Sequence, residues 1–389
     1  MRGHPVYAAM GTTIFEHMSG LSRELGAINL GQGFPDGQGP PALLDAAARA
    51  LREKSNQYPP MAGLPELRDA VAAFYSRRQR LNLTREQVIV TSGATEALAA
   101  AIFALVQPGD DVLIFQPAYD AYAPLIRRAG GVPVPIDLHP PAWRYERAAI
   151  IAAITPRTRA MILNDPLNPT GTVASAADLA MLAEICVAHD LVAICDEVWE
   201  EVRFDGVPHR SLIDFPGMAS RAVKIGSAGK IFGLTGWKLG WMCAAPALAS
   251  LMARAHQFLT FTSPPPLQWA VAEGLALPDD WFAAQAADWA AGRARLKQGL
   301  ESAGFVVLPN AATWFLCIDL PRSGLAMDDQ ICCERAVREA GVAAIPVSAF
   351  FDGGVPGPIL RLCFTKPADQ LDSAVKRLSH FRQAQLSAG

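Results

Sequence analysis

Residues 225–241 have the sequence IGSAGKIFGLTGWKLGW, in which Lys230 is flanked by small and aromatic residues. An amine in such a setting is poorly hydrated, and loss of water lowers the pKa of a lysine and frees a neutral nucleophile. Proteins use such an amine to hold an aldehyde cofactor as a Schiff base. Ser227 and Lys238 add a hydroxyl and a second cation, which suit a phosphate on the same cofactor. The pattern indicates pyridoxal 5'-phosphate, although a lysine in a glycine-rich loop, taken alone, is most often a solvated surface group.

The chain around this stretch alternates between short apolar runs and Ala/Leu-rich helical segments. The runs are rich in β-branched residues and nearly continuous in apolar character, which is typical of parallel strands covered by helices on both faces. We therefore predict an α/β domain with a mostly parallel sheet. Its predicted strands are 87–90, 111–115, 160–163, 191–195 and 222–225, and its predicted helices are 95–106, 122–130 and 175–189.

Beyond about Pro278 the order of elements changes, and helices and strands mix in a way that is typical of a smaller α+β domain. The predicted helices here are 281–303, 328–340 and 368–386, and the predicted strands are 305–308, 313–318 and 359–364. We expect an N-terminal segment (1–45) that joins the small domain, a large cofactor-binding domain (46–280) and a C-terminal small domain (281–389).

The composition fits a globular protein, with 389 residues, 51% hydrophobic and 18% charged residues and a net charge of −3. We expect no nucleic-acid partner, because the one basic tract is the short run at 77–80. The N-terminus resembles no secretory signal and no apolar run reaches membrane-spanning length, so we expect a cytoplasmic protein without a membrane partner. Seven cysteines without metal spacing, and no paired histidines, lead us to expect reduced thiols and no metal site.

Ligands of an open parallel sheet bind at the carboxyl ends of its strands, so the residues after each apolar run are candidates for a site. The segment 91–95 follows one run and opens into a helix, whose free N–H groups suit a phosphate. An ordinary Ser/Thr N-cap fits this segment equally well. Asp196 follows another run, and its carboxylate needs a partner if it is buried; a pyridinium nitrogen, a helix N-cap and a salt bridge are all possible.

Two further strand ends carry useful side chains. Asn168, in a turn after the strand at 160–163, is able to donate to a phenolate oxygen. Tyr119, shortly after the strand at 111–115, offers a ring that is able to stack on a cofactor.

Together and in this order, these motifs resemble those of the fold-type I, class I aminotransferases. Within that family they resemble the branch of the kynurenine/glutamine, methionine and N-succinyldiaminopimelate aminotransferases. The matching segments lie across nearly the whole chain, at 28–36, 56–58, 168–171, 196–198, 225–241, 345–350 and 361–364.

The resemblance implies the architecture of a fold type I pyridoxal-phosphate transferase and a role for each matching residue. Lys230 would be the Schiff-base lysine and general base, and Asp196 the partner of the pyridinium nitrogen. Asn168 would bind the O3' oxygen, and Tyr119 would stack on the ring. The phosphate-binding positions would be Gly93, Ala94, Thr95, Ser227 and Lys238.

Substrate contacts and a subunit contact are implied in the same way. Arg361 would hold the substrate α-carboxylate in a bidentate pair, near the backbone of Gly33 and beside Asn168. A lone arginine of this kind is otherwise most often a surface salt bridge. Tyr58 matches a tyrosine that reaches the phosphate of the other subunit, which implies a homodimer with a shared active site.

Trp199 departs from the family pattern, because members usually carry tyrosine at this cofactor-binding position. An indole N–H donates one hydrogen bond and neither accepts nor ionises, so the hydrogen bonding around the bound cofactor must differ here.

The implied activity is amino-group transfer from an L-amino acid to a 2-oxo acid by a two-stage, ping-pong reaction. An aromatic, methionine-like or glutamine-like donor is favoured, because residues 256–262 contain no arginine for a second carboxylate. Two alternatives stay open: a cysteine-S-conjugate β-lyase, and a non-catalytic cofactor-binding domain of a regulator. The second is disfavoured because no segment suits a DNA-reading module. The sequence gives neither the physiological donor and acceptor nor the pathway.

Overall fold

The computed structural model describes residues 3–353 and 357–388. Residues 1–2 of the predicted N-terminal segment and residues 354–356 and 389 of the predicted small domain lie outside this part. Short strands alternate with helices along the chain, as the periodicity predicts. The described strands are β1 (Ile28–Asn29), β2 (Val88–Thr91), β3 (Asp111–Gln116), β4 (Val132–Asp137), β5 (Thr158–Asn164), β6 (Val192–Asp196), β7 (Ala222–Ser227), β8 (Gly240–Cys243), β9 (Val306–Val307), β10 (Phe315–Asp319), β11 (Val342–Ala343), β12 (Ile345–Pro346) and β13 (Ile359–Cys363).

The helices occupy most of the remaining chain, and several begin with proline in the first turn, where its missing N–H costs nothing. They are α1 (Pro5–Ala8), α2 (Ile14–Leu25), α3 (Pro41–Glu53), α4 (Pro65–Gln79), α5 (Ala94–Leu105), α6 (Tyr122–Arg128), α7 (Arg147–Ala153), α8 (Ala176–Ala188), α9 (Ala228–Ile231), α10 (Pro246–Leu259), α11 (Pro265–Leu275), α12 (Asp279–Ser302), α13 (Asp329–Arg335) and α14 (Ala368–Ala388). A π-helical segment, Ala336–Ala340, continues from α13.

A seven-stranded sheet in the order β2-β8-β7-β6-β5-β3-β4 forms the centre of the large domain. Its neighbours are parallel except β8, which is antiparallel to both β2 and β7. Ile89 packs on one face of this sheet, and Val88 and Val90 pack on the other. Both faces are therefore covered, which is why the strands are apolar throughout and not alternating.

A smaller sheet in the order β12-β13-β10-β9 is antiparallel and lies in the C-terminal part of the chain. The N-terminal segment joins the same part, because β1 pairs in parallel with β11. The fold is thus a mostly parallel, helix-covered sheet with a smaller antiparallel sheet domain, as predicted. The proposed domain boundaries at residues 45 and 280 stay predictions.

The sequence patterns missed β4 and β8 of the large sheet. β4 contains Pro133 and Pro135, which remove ladder donors and argue against a strand. The structure accommodates them because β4 is an edge strand that pairs only with β3. Among the described residues, no helix is both long and apolar enough to cross a membrane.

Candidate active site

A cavity of about 260 Å³ opens at the carboxyl ends of the parallel strands. It gathers ten of the predicted site residues, which come from strand ends, helix starts and loops between residues 93 and 238. Its lining consists of Gly93, Ala94, Thr95, Leu98, Tyr119, Asn164, Asn168, Asp196, Val198, Trp199, Ser227, Gly229, Lys230, Thr235, Lys238 and Leu239.

Lys230 lies on the short helix α9, which begins directly after β7 ends at Ser227. Burial lowers the pKa of its amine to about 8, and the charge of Asp196 only partly opposes that shift. The Nζ atom lies 4.8 Å from the ring centre of Trp199 and 5.3 Å from that of Trp314. At pH 7 roughly a tenth of this amine is therefore neutral, far more than for an ordinary lysine, and able to act as a nucleophile or a base.

Asp196 is the last residue of β6 and is only 5% exposed. Burial raises the pKa of its carboxyl to about 6. The hydroxyl of Tyr122 donates to Oδ2 at 2.5 Å, whereas Oδ1 is buried and has no partner among the described residues. A buried carboxylate oxygen without a donor is costly, so this atom suits a ligand that brings a positively charged N–H.

The start of α5 and Lys238 form the cationic end of the cavity. Gly93, with φ of +79°, precedes the helix, and no side chain caps it. The Ser/Thr N-cap interpretation is therefore wrong, and the Glu96 carboxylate instead accepts from the backbone N–H of Ser92. A Cβ atom added at Gly93 would lie 3.5 Å from Lys238 Nζ. The uncapped backbone N–H groups at the start of α5 and the ammonium group of Lys238 thus lie at the same end of the cavity, where together they suit a phosphate.

Arg361 reaches the cavity through Asn168. Its Nη1 donates to Asn168 Oδ1 at 3.1 Å, and its Nη2 donates to the carbonyl oxygen of Gly31 at 2.7 Å. The side chain is 2% exposed, and Nε has no partner among the described residues. Burial lowers the pKa of the guanidinium to about 10. A surface salt bridge is therefore the wrong interpretation of Arg361, and its remaining N–H groups suit an incoming anion.

Asn164 is a site residue that the sequence analysis did not single out. Its side-chain amide donates to the backbone oxygen of Asp196 at 2.9 Å, and its oxygen accepts from the backbone N–H of Asn168 at the same distance. It ends β5, so the strand-end rule that located Asp196 would have found it. Tyr122 and Trp314 carried no such signal, because they come from a helix and from the small domain.

Tyr58 does not line the cavity. It is 83% exposed, and its ring packs edge-on against Phe261 with the ring centres 5.5 Å apart. Gly33 also lies outside the lining, in the segment that follows Gly31.

A buried charge cluster lies next to Asp196 in the chain. Lys224 Nζ contacts the carboxylates of both Glu197 and Glu200, and His209 Nε2 lies 2.8 Å from Glu197 Oε2. Glu197, Glu200 and His209 have donor atoms close enough to hold a metal ion. The ammonium of Lys224 already lies against both carboxylates, so these groups are paired without a metal.

The donor set of the cavity fits pyridoxal phosphate. The unpartnered oxygen of Asp196 suits the pyridinium nitrogen, and the uncapped start of α5 with Lys238 suits the phosphate. The partly neutral amine of Lys230 suits the aldehyde.

Comparisons with known proteins agree with this chemistry. Residues 26–378 match the family model "Aminotransferase class I and II". The chain is 45% identical to the probable N-succinyldiaminopimelate aminotransferase DapC of Mycobacterium tuberculosis over 95% of this chain and 96% of that protein. It is 39% identical to the methionine aminotransferase of Escherichia coli over 95% of this chain and 96% of that protein. The solved structure of the Mycobacterium tuberculosis N-succinyldiaminopimelate aminotransferase superposes with a TM-score of 0.94 at 44% identity, covering 97% of this chain and 100% of that one.

Proposed function

We propose, on the premise that this chain belongs to the class I and II aminotransferases, that it transfers amino groups in two half-reactions at the cavity around Lys230. The chain is an aminotransferase of the pyridoxal-phosphate-dependent kind. We infer the residue roles, the reaction order and the donor from the site and the relatives. The residue roles are supported by one observation: Lys230, whose amine has a lowered pKa, and Asp196, which has a carboxylate oxygen without a partner among the described residues, line the same cavity.

When bound, pyridoxal phosphate supplies an aldehyde that captures amines and a ring that withdraws electrons from the substrate Cα. Asp196 would keep the ring nitrogen protonated, because its free oxygen accepts that N–H. The start of α5, Ser227 and Lys238 would hold the phosphate, and Tyr119 would lie against the ring. Asn168 would donate to the ring oxygen while it holds Arg361 in place.

Lys230 has two proposed tasks. Its neutral amine would bind the cofactor aldehyde, and once the substrate amine has freed it, the same amine would take the proton from the substrate Cα and deliver it to the carbon of the former aldehyde. Arg361 would hold the substrate α-carboxylate and so fix the direction of the Cα–H bond relative to Lys230. The same half-reaction, run in reverse with a 2-oxo acid, would return the Lys230 amine to its bond with the cofactor. Two such half-reactions in succession give a ping-pong order.

The donor that we propose has an aromatic, methionine-like or glutamine-like side chain. The support is the absence of arginine in residues 256–262 and the 39% identity to a methionine aminotransferase. A second candidate donor is N-succinyldiaminopimelate, which the 45% identity to the Mycobacterium tuberculosis protein favours. The β-lyase and the non-catalytic domain gain no support, because the relatives reported above are named as aminotransferases.

A donor panel tests this choice. Purified holoenzyme is mixed with phenylalanine, methionine, glutamine, aspartate or N-succinyldiaminopimelate in the absence of an acceptor, and the loss of cofactor absorbance is followed. We expect at least one of the neutral donors to react more than about tenfold faster than aspartate, because aspartate places a second carboxylate where no arginine is expected to receive it. N-succinyldiaminopimelate, which carries further carboxylates, would as the fastest donor favour the second candidate instead. Aspartate as the fastest donor would refute the preference. Release of pyruvate and ammonia from a cysteine conjugate without any acceptor would favour the lyase.

The homodimer and the cytoplasmic location predicted from the sequence are part of the same proposal. The exposure of Tyr58, in a segment that matches a subunit-crossing motif of the family, supports a shared site.

A further inference from the structure

Phe315 lies against several residues of the proposed site although no sequence motif pointed to it. It begins β10 and is 2% exposed. In the antiparallel pair with β13, Phe315 is opposite Cys363, and Cys317 is opposite Arg361. Phe315 and Arg361 are therefore diagonal neighbours on one face of the small sheet, close enough for a ring to meet a long side chain.

The Phe315 ring and the Arg361 guanidinium are in close contact. The guanidinium carbon lies 3.9 Å from the ring centre of Phe315, against 5.3 Å for both Phe15 and Phe350. A separation of 3.9 Å is a stacking distance, whereas 5.3 Å is a looser cation–π contact. One ring out of three thus lies directly against the guanidinium.

Two more residues of the proposed site contact the same ring. Trp199 meets Phe315 edge-on, with ring centres 5.5 Å apart. A Cβ atom added at Gly33 would lie 2.6 Å from Phe315 Cζ, so that a side chain at this position would force the ring to move. The ring is therefore held from two sides while it contacts the guanidinium.

The orientation of the guanidinium decides how Arg361 meets a carboxylate. A bidentate pair forms only when the planes of the two groups are aligned. Two acceptors, Gly31 O and Asn168 Oδ1, fix two of the nitrogen atoms, but Nε has no partner in the part of the chain that the structure describes. A flat ring beneath the group restricts its tilt, which two hydrogen bonds alone leave free.

We propose that Phe315 is a positioning residue for substrate binding. Its ring holds the guanidinium plane of Arg361 in the orientation that binds the α-carboxylate, and the ring itself is held in place by packing against Gly33 and Trp199. The inference rests on the proposed role of Arg361. It adds a residue that touches neither substrate nor cofactor and acts only through the arginine.

The test compares two ligands on the holoenzyme. 3-Phenylpropanoate carries a carboxylate and no amine, and 2-phenylethylamine carries an amine and no carboxylate. In Phe315→Leu, which keeps apolar bulk but removes the flat ring, the dissociation constant of 3-phenylpropanoate should rise about tenfold. That of 2-phenylethylamine should stay within about twofold, and the affinity and absorbance of the cofactor should not change.

The matched control is Phe364→Leu. Phe364 is fully buried and packs on Phe204, so this variant loses the same ring from the small domain without touching the guanidinium. It should lose stability but bind 3-phenylpropanoate as the parent does. Equal weakening of both ligands in Phe315→Leu, or an equal loss in Phe364→Leu, would overturn the proposal, as would an unchanged affinity for 3-phenylpropanoate in Phe315→Leu.

Two variants keep the test decisive. Gly33→Ala leaves the Phe315 ring in the protein but displaces it, and it should weaken 3-phenylpropanoate selectively even if Phe315→Leu folds poorly. Unchanged binding in Gly33→Ala would count against the proposal. Arg361→Leu separates the two levels of inference: if it binds 3-phenylpropanoate as well as the parent does, the proposed role of Arg361 fails, and the role of Phe315 fails with it.

Discussion

At the scale of single residues, the chemistry of the cavity depends on what burial does to two ionisable groups. Burial lowers the pKa of the Lys230 amine to about 8 and raises that of the Asp196 carboxyl to about 6. Both shifts work against charge in the protein without its cofactor. A ligand that offers an aldehyde to one group and a pyridinium N–H to the other removes both penalties.

The depressed pKa of Lys230 predicts how the apoprotein takes up the cofactor. Because only the neutral amine attacks an aldehyde, and a lowered lysine pKa makes that form available above pH 8, the capture rate should rise about tenfold between pH 6.5 and 7.5. It should level off above pH 8.5. Stopped-flow absorbance with pyridoxal phosphate measures this rate, and pyridoxine phosphate, which lacks the aldehyde, controls for titration of the phosphate. A midpoint near the ordinary lysine value of 10.5 would contradict the assignment.

At the residue scale, the sequence pointed to residues at strand ends that the structure brings together, while their roles stay predictions. Asp196 and Asn168 follow buried apolar runs, and the structure places both on the cavity, as it does Tyr119. Tyr122 and Phe315 were missed because their contacts join segments far apart in sequence. No local pattern encodes the hydrogen bond to Asp196 or the stacking on Arg361.

At the scale of elements, the large sheet depends on buried ion pairs as well as on apolar strands. Lys224 lies on β7 and is fully buried, and its ammonium is paired with Glu197 and Glu200. Burial alone would raise the pKa of Glu197, but the charge and hydrogen bond of Lys224 together with those of His209 outweigh burial and hold that pKa at about 2. The Glu197 carboxylate thus stays charged inside the protein because Lys224 and His209 lie beside it.

Lys224→Met should be strongly destabilising, since it leaves two buried carboxylates without their cation. We expect a loss of about 3–5 kcal/mol in the free energy of unfolding at pH 7.5. A depressed acid pKa stabilises the fold above the unfolded value of about 4.5, so the parent should lose this contribution as pH falls below it. At higher pH, between 7.5 and 5, the difference in unfolding free energy between parent and variant should narrow for a separate reason, because the unpaired buried carboxylates of the variant take up protons as the pH falls. Urea denaturation measures both effects.

Lys297→Met provides the matched control, because it removes the same charge from an exposed pair with Glu301 on α12. Its effect should stay below about 0.5 kcal/mol. A Lys224→Met loss of the same small size would show that the buried pairs contribute little. If Lys224→Met does not fold, adding Glu197→Gln and Glu200→Gln to it should restore folding, because the two unpaired charges are then removed.

Element-scale prediction followed apolar periodicity and failed where other chemistry intervened. Five strands of the large sheet were located within two residues of their observed ends. The edge strand β4 was missed because its two prolines are unfavourable in a central strand. Its position at the edge could not be known before the sheet order was.

At the scale of the whole molecule, the cavity of one chain contains every predicted cofactor-binding residue except Tyr58. That tyrosine is mostly exposed on its own chain, and the family resemblance assigns it to the site of a second copy. If this is correct, the particle in solution has twice the mass of the 41.6 kDa chain.

Subunit complementation tests the shared site. Lys230→Ala should be inactive, because it lacks the amine that binds the cofactor. Tyr58→Ala should be poorly active at limiting cofactor, because it lacks the tyrosine that completes the site of the other subunit. When the two variants are co-expressed, they should regain about a quarter of the parent activity, because about half of the randomly formed dimers are mixed and one of the two sites in each mixed dimer has both residues intact. Mixed dimers that remain inactive, or full activity of Tyr58→Ala alone, would show that Tyr58 completes no neighbouring site.

The proposed function depends first on the covalent role of Lys230, and chemical trapping examines that role directly. Holoenzyme is reduced with borohydride, digested and analysed by mass spectrometry, with Lys230→Ala treated in parallel. We predict one phosphopyridoxyl group, on Lys230 alone, and neither label nor transamination in the variant. A label on a different lysine, or undiminished turnover in Lys230→Ala, would contradict the account.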